Sequence, residues 1–585
     1  MNIVVASGKG GTGKTTFSVN LAYWLAEQVS KSKEIRLLDC DVEEPNDHLF
    51  IGEKNYKKES VEALKPIWNS EKCTGCGKCV EACNYNAIAR AGDQILIFNE
   101  LCHSCGACSY VCPTNAITEK PEEIGEIFFA EKNEIHPFYF AYGKLKIGEA
   151  LAPTVVKKMS EHTRKDAINI LDASPGAGCA VVETVSEADF IVLVTEPTPF
   201  GLSDLKTAVK LSSKMQVPTG IVINRSDGKD EIIAEYAKDA GVQIIGRIPF
   251  SRKYAEVYSR GGLLFKEFAE FAGFLEEIYE NIVAGDIKSV AVGMEPHHDE
   301  IETVEKIDWN SKSNADNYQE IVIVSGKGGT GKTTVAGILA DQLEDKVLFD
   351  SDVDAANFRF LVKPYRQEEH KYSGSSGATI DSGKCISCGK CADNCHFDAI
   401  FMDGPANDVV DVTYHIDELA CEGCGLCSIV CPVNAIKTTD NKTGRYYLTE
   451  SAKGPFVHAE LGIAEENSGK LVSKVRNEAQ NLVNSLSKSK ILGDGPPGTA
   501  CPVIASINGA DLIVIVTEPS LSGLHDMKRL VELTQHFKLR TVVVINKADI
   551  NEDVRNQIHE FADSANCKVV AEIPFDAEVN DAVKQ

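Results

Sequence analysis

The sequence predicts an α/β protein written twice: two halves with mostly parallel sheets, each interrupted by a small cysteine-rich insertion. Three observations carry this. The stretch Ser7-Gly-Lys-Gly-Gly-Thr-Gly-Lys-Thr-Thr16 returns as Ser325–Thr334, an offset of 318. Short β-branched runs alternate with helical stretches, the pattern of parallel strands covered on both faces by crossover helices. Each half also holds two cysteine runs of one spacing, placed between strands of that pattern.

The repeat is a tandem duplication and not a solenoid, because its landmarks recur once and in one order. Leu38-Asp39-Cys40-Asp41 matches Phe349-Asp350-Ser351-Asp352, and Asp172–Cys179 matches Asp494–Cys501. Thr195-Glu-Pro matches Thr517-Glu-Pro, and Ile223-Asn224-Arg225 matches Ile545-Asn546-Lys547. Ile248-Pro249-Phe250 matches Ile573-Pro574-Phe575. In the first half the runs Ile3–Ala6, Ile35–Leu38, Ala167–Leu171, Phe190–Val194, Thr219–Ile223 and Val242–Ile245 read as buried strands. An apolar-periodic helix is expected near Phe265–Ile282, and half two shows no counterpart of it.

The expected organisation is a first nucleotide-fold domain over 1–64 and 121–285, interrupted by a cysteine module over 65–120. The second domain covers 319–376 and 440–585, interrupted over 377–439. Residues 286–318 lose the strand–helix rhythm and carry seven acids against two lysines between Glu295 and Tyr318, so they read as an acidic linker. Fully stretched at ~3.3 Å per residue, such a segment spans about 100 Å, enough for the halves to meet face to face.

Composition bounds the function. Of 585 residues, 43% are apolar and 25% charged, an ordinary globular balance. The net charge of −26 repels phosphate backbones and argues against a nucleic-acid partner. No membrane span and no basic, apolar leader is evident, so a cytoplasmic location is expected. In that reducing setting, twenty regularly spaced cysteines point to metal and not to disulfides.

Gly8-Lys9-Gly10-Gly11-Thr12-Gly13-Lys14-Thr15-Thr16 fits the phosphate-binding P-loop pattern and lies between a strand and a helix. Its glycines let backbone N–H groups curl around phosphate oxygens, Lys14 supplies a point charge, and Thr15 offers a hydroxyl to Mg²⁺. Gly326-Lys327-Gly328-Gly329-Thr330-Gly331-Lys332-Thr333-Thr334 repeats this. The strand-end acids Asp39 and Asp41, with Asp350 and Asp352, are placed for one carboxylate near the metal and one toward the attacking water. Asn224-Arg225-Ser-Asp227 and Asn546-Lys547-Ala-Asp549 resemble a base-reading N-K-x-D segment, which by itself suggests guanine; a turn after a strand is the alternative.

The early lysine before the double glycine, Lys9 or Lys327, resembles the deviant Walker A loop of the MinD/Mrp/ParA and nitrogenase iron-protein class. That resemblance covers nearly the whole chain. It implies P-loop NTPase domains that bind ATP and Mg²⁺, with Lys9 and Lys327 each crossing a face-to-face dimer to the other's nucleotide. Here the two halves supply both partners. It further implies the water-side role for Asp41 and Asp352, the switch II role for Asp172 and Asp494, and nucleotide contacts near Asn224, Arg225, Pro249, Asn546, Lys547, Asp549 and Pro574. The kinship extends to cobyrinic-acid-synthase-like proteins, yet no glutaminase-like domain is visible.

The cysteines fall as Cys73, Cys76, Cys79, Cys83, then Cys102, Cys105, Cys108, Cys112, and in half two Cys385, Cys388, Cys391, Cys395, then Cys421, Cys424, Cys427, Cys431. This 2-2-3 spacing resembles the bacterial-type ferredoxin run, in which three cysteines ligate one [4Fe–4S] cube and the fourth reaches the other. The resemblance pairs Cys73, Cys76 and Cys79 with Cys112, and Cys102, Cys105 and Cys108 with Cys83. In half two it pairs Cys385, Cys388 and Cys391 with Cys431, and Cys421, Cys424 and Cys427 with Cys395. Four [4Fe–4S] clusters are thus expected. Compact turns at Gly75, Gly77, Gly106, Gly389, Gly423 and Gly425 suit that exchange. Zinc is the rival metal, but this spacing written four times does not suit isolated tetrahedral sites.

Cys40 and Cys567 read as small buried hydrophobes. Cys179 and Cys501 each follow their aspartate by seven residues, as a cluster-ligating cysteine does in the nitrogenase iron protein. An interfacial metal site and simple packing beside the loop are both open for them. The leading expectation is an ATPase in which closure of the two halves gates electron transfer to a redox or metallocluster client protein. The alternatives are an ATP-dependent factor that assembles or carries metal–sulfur clusters, and a ParA/MinD-like positioning ATPase.

Overall fold

In a computed structural model the described residues are 1–28, 33–285, 287–289, 301–307, 309, 318–441, 443–462 and 468–584. Nine strands of the first half form one sheet in the order Gln243–Pro249, Thr219–Ser226, Phe190–Thr195, Asn2–Ala6, Ile168–Asp172, Ile35–Asp39, Tyr139–Leu145, Ile117–Ala130, Lys57–Trp68. The pairings are parallel as far as Tyr139–Leu145, and the last two are antiparallel. The expected strands are all present. Their Val, Ile and Leu side chains fill one core on each sheet face, one around Leu38, Leu171 and Ile221, the other around Ile3, Leu37 and Ile170.

The second half repeats this plan. Its central parallel order is Lys346–Asp350, Lys490–Pro497, Gln319–Ser325, Leu512–Thr517, Thr541–Asn546, Lys568–Ile573. Gly454–Leu461, Gly444–Ser451 and Pro364–Tyr372 extend the other edge. Within the acidic linker expected over 286–318, Glu302–Val304 pairs in parallel with Pro364–Tyr372, so this part belongs to the second sheet. The remainder of that stretch lies largely outside the described residues. Half one ends in the apolar helix Ala269–Val283, whereas after Ile573 half two carries the short helix Ala577–Lys584.

Each cysteine module is carried on a long antiparallel pair. Lys57–Trp68 runs out against Ile117–Ala130, and the expected limits of the module, 65–120, fall inside these paired strands. Lys65 anchors the stalk: fully buried, its ammonium donates to the Cys102 and Asn99 carbonyls and to Glu149 at 2.7 Å. In both modules each short α-helix that carries the third cysteine of a run starts after a left-handed glycine, with φ of 79° at Gly77, 76° at Gly106, 76° at Gly389 and 77° at Gly425. A side chain there would strain the turn that brings the cysteines together.

Candidate functional site at the junction of the halves

The two glycine loops meet head to head. A Cβ on Gly11 would lie 2.4 Å from the Gly329 Cα, and one on Gly329 would lie 2.7 Å from the Gly11 Cα. Only bare backbone fits that approach. Each loop also rests on a neighbouring helix: a Cβ on Gly8 would fall 2.0 Å from the Asp204 carbonyl oxygen, and one on Gly326 would fall 2.4 Å from the Asp526 Cβ. Behind each loop a helix begins, Lys14–Gln28 and Lys332–Gln342, so their unpaired N–H groups face the loop.

Inside each loop the polar groups are held in similar but unequal ways. Thr15 Oγ1 donates to Asp172 at 2.8 Å and Thr333 Oγ1 to Asp494 at 2.7 Å. Lys14 Nζ donates to Ser7 Oγ at 2.9 Å, while Lys332 Nζ donates to Asp494 at 2.6 Å. Burial pushes the Lys14 ammonium down despite Asp172 and Asp41. Burial also opposes charge on Lys332, but Asp494, Asp352 and Asp350 outweigh it and the net shift is upward. Thr12 Oγ1 and Thr330 Oγ1 are buried with no protein partner at the same place in each loop, as donors waiting for an anion would be.

The early lysines reach across. Lys327, from half two, is half-buried in the junction; desolvation there lowers its pKa, but Tyr258, Asp526, Asp41 and Asp172 overcome this and hold it charged. Three of those four, Tyr258, Asp41 and Asp172, belong to half one. Conversely burial raises Asp352 in half two, and Lys9 acts against that rise together with Lys332. Asp41 is pushed up to about 6 by burial, against the pull of Lys14 and Lys327. Asp39 and Asp350 serve a different purpose. Asp39 accepts backbone N–H groups of Asp41, Asn46 and Asp47 at 3.1, 2.8 and 2.9 Å, and Asp350 those of Asp352 and Phe358 at 2.9 Å. They pin the loop that carries the second acid.

Of the base-reading candidates, Asn224 donates its amide to the Thr12 carbonyl at 2.7 Å and Asn546 to the Thr330 carbonyl at 2.8 Å. Both therefore brace the phosphate loop. Arg225 pairs with Glu196 at 2.5 Å and Lys547 with Glu518 at 2.8 Å. Asp549 pairs with Arg252 of the other half at 2.8 Å. Pro249 and Pro574 line the cleft beside these groups.

The sequence reading missed a reciprocal clamp. Asn46 donates to Asp526 at 3.3 Å and Asn357 to Asp204 at 3.1 Å, each bond crossing between the halves. Asn46 and Asn357 both stand seven residues after their pinned aspartate, and Asp204 and Asp526 are equivalent positions at offset 322. Recurrence of polar residues at one register was the signal available for them. Thr499 donating to Glu44 at 3.1 Å and Asn551 to Ser259 at 3.0 Å add further crossing bonds.

Between the halves lies a cleft of about 1890 Å³, lined by both glycine loops and extending to Tyr85 and His103 in the first cysteine module. Cys179 and Cys501 line the same cleft, each at the start of a helix, Cys179–Val185 and Cys501–Ile507. Cys40 and Cys567 are buried.

In the modules the structure brings the fourth cysteine of each run against the first three of the other. Burial raises the Cys79 thiol, with Cys112 and Cys76 adding to the rise. Burial likewise raises Cys102 and pushes Cys108 up to about 12, with Cys105 and Cys83 adding in both cases. Cys385, Cys388, Cys391 and Cys431 line one small apolar cavity, and Cys395 sits beside Cys421 and Cys427. Backbone N–H groups of Ala116 and Ala435 point at the Cys112 and Cys431 sulfurs at 3.1 and 3.3 Å. Among the described residues no three cysteine sulfurs lie within 4.8 Å of one another. Zn–S bonds of about 2.3 Å would place four sulfurs about 3.8 Å apart, a tighter spacing than these quartets show. Among the described residues no helix is long and apolar enough to cross a membrane.

Comparison with known proteins agrees with the duplication. Over 266 residues the chain is 34% identical to the uncharacterized protein MJ0578 of Methanocaldococcus jannaschii, covering 44% of this chain and 86% of that one. Over 288 residues it is 31% identical to MJ0579 of the same organism, covering 49% and 98%. An iron-sulfur cluster carrier protein of that organism is 22% identical over 301 residues, 48% of this chain and 84% of the relative. Among solved structures, the septum site-determining protein MinD from Pyrococcus horikoshii, complexed with Mg-ADP, is 18% identical over 48% of this chain and 97% of that one, with a TM-score of 0.31. The family description "CobQ/CobB/MinD/ParA nucleotide binding domain" matches twice, at residues 3–264 and 321–585. Two glycine loops, each backed by its own parallel sheet, thus have one common origin: both halves of the chain belong to the CobQ/CobB/MinD/ParA nucleotide-binding family.

Proposed function

We propose that the protein is an ATPase whose two halves form a built-in dimer, and that nucleotide turnover in the junction controls electron transfer through the cysteine modules to a client protein. The observation that carries this is the single cleft joining both glycine loops to the inner edge of the first module. A change at the phosphates thus has a direct route to the cysteines.

In this reading Gly8–Thr16 and Gly326–Thr334 wrap the phosphates of two ATP molecules, and Lys14 and Lys332 neutralise their charge. Thr15 with Asp172, and Thr333 with Asp494, would hold Mg²⁺. Asp41 and Asp352 orient the attacking water, Asp352 from a buried position and Asp41 half-buried on the wall of the cleft. Lys327 serves the first site and Lys9 the second, each from the opposite half. The sixteen module cysteines would hold four [4Fe–4S] clusters, which supply one-electron chemistry. Asp39 ties Asp41 to Asn46, and Asp350 ties Asp352 to Phe358 beside Asn357, so loss of the terminal phosphate would loosen the bonds that cross the junction.

The test uses anaerobic protein carrying about sixteen irons, reduced with dithionite and then oxidised by a one-electron acceptor. ATP should change the oxidation rate several-fold relative to ADP, and Lys14→Ala/Lys332→Ala should abolish the difference. An identical rate with both nucleotides overturns the reading.

A second reading, a factor that carries metal–sulfur clusters, is supported by Cys179 and Cys501 in the same cleft and by the relative named an iron-sulfur cluster carrier protein. It requires extra labile iron that disappears in Cys179→Ala/Cys501→Ala while the iron of the modules stays.

A further inference from the structure

The two cysteine modules do not sit apart, each at the end of its own stalk. The inner quartet of the first half, Cys83, Cys102, Cys105 and Cys108, touches the inner quartet of the second, Cys395, Cys421, Cys424 and Cys427. The Cys105 and Cys424 side chains come together there, both packed against the same apolar clusters. Around them Ala107 is buried against Leu426 and Val430 in one apolar cluster that contains both sulfurs. Tyr85 closes the seam from one side, its ring stacked on His103 at 3.9 Å and its hydroxyl donating to the Glu422 carbonyl at 2.8 Å. Asn84 donates to the Gly423 carbonyl at 2.8 Å, and His103 approaches the Glu422 carboxylate at 3.6 Å. In the outer quartets Cys76 and Cys388 are exposed.

From this contact we propose that the four quartets form one continuous electron path that passes from half to half through the Cys105–Cys424 seam, with its two ends at Cys76 and Cys388. The proposal rests on the cluster-binding reading above. At the seam Ala107, Leu426 and Val430 exclude water and gather two ligand sulfurs, one from each half, into one apolar cluster. Across it one electron moves at a time. The donor site loses one electron, its neighbour gains it, and no bond or proton is exchanged. A one-electron reductant delivers it at one exposed end and a one-electron acceptor removes it at the other. A chain of this kind makes two distant surfaces, one on each half, electrically equivalent, whereas two separate modules would make two independent carriers.

The test removes the outer quartets, Cys73→Ser/Cys76→Ser together with Cys385→Ser/Cys388→Ser, and leaves one inner quartet in each half. After dithionite reduction this variant, with about eight irons, should give the electron paramagnetic resonance spectrum of an interacting pair. Adding Ala107→Arg, which forces a charge into the seam and leaves every ligand in place, should convert it to two isolated signals at the same iron content. Isolated signals without Ala107→Arg overturn the proposal. Should the stripped variants not fold, full-length protein and Ala107→Arg alone, both with about sixteen irons, are compared. Loss of part of the spin coupling supports the seam, and identical spectra overturn it. Iron close to zero in the unmodified chain is a separate result, which defeats the cluster reading itself.

Discussion

Gly10 rests against Gly328 across the junction so closely that a Cβ on Gly328 would fall 2.5 Å from the Gly10 Cα. The relation fixes the halves in one orientation, because backbone touches backbone and no side chain can yield. Gly328→Ala should therefore wedge the loops apart. Overpacking of this kind costs about 1–3 kcal/mol. Here that strain is relieved by separating the halves, so ATPase activity should fall more than tenfold while each half stays folded. Small-angle scattering checks the separation, and wild-type compactness with wild-type turnover would refute the arrangement.

The crossing lysines give a second expectation. In a Lys332→Ala background only the first site hydrolyses, and Lys327 is the crossing residue that reaches it. A positive charge supplied in trans to a transferring phosphoryl group is worth about 10³-fold or more in rate. Lys327→Ala should thus silence the remaining activity, whereas Lys9→Ala should leave it nearly intact. The opposite ranking would reverse the assignment of lysines to sites.

Much of this was legible because the chemistry demands local spacing. A glycine loop, a strand-end aspartate and a cysteine run each keep their meaning within ten residues, and the duplication repeats each of them. The stalks were not legible. Lys57-Lys58-Glu59-Ser60 begins a strand with charged and exposed side chains, because an outer antiparallel strand has a solvent face and needs no β-branched run. Nor did the motif predict what Asn224 and Asn546 do. Their amides brace loop carbonyls, a partnership fixed by three-dimensional proximity across 212 and 216 residues.

Lys65 offers a third prediction. Its ammonium is fully buried and pairs with Glu149, and removing one partner of such a pair leaves the other uncompensated, at about 3–5 kcal/mol. Lys65→Met should weaken the joint between the first module and its sheet, so that denaturant releases iron from this module before the second. Lys65→Met/Glu149→Leu should recover most of the loss, since it removes both charges. Equal iron release from both modules in the single variant would count against the anchor.

Asp204 supplies the last prediction, one of pH. Burial lifts its carboxyl to about 6, although Lys9 and the Asn357 amide oppose the rise. Between about pH 4 and pH 6 the folded chain keeps a proton that the unfolded chain has released, so stability falls as pH rises through this window. A rise of that size corresponds to about 3 kcal/mol, present in full below the window and lost above it. Asp204→Asn keeps an oxygen to accept from Asn357 but has nothing to ionise. Nucleotide-free protein should therefore melt at a lower temperature at pH 7 than at pH 5, and Asp204→Asn should shrink that difference. Because Asp204 clasps Asn357 of the opposite half and supports Gly8, the gain should appear as tighter association of the halves and not as a firmer core. A melting difference that Asp204→Asn leaves unchanged would place the titrating group elsewhere in the junction.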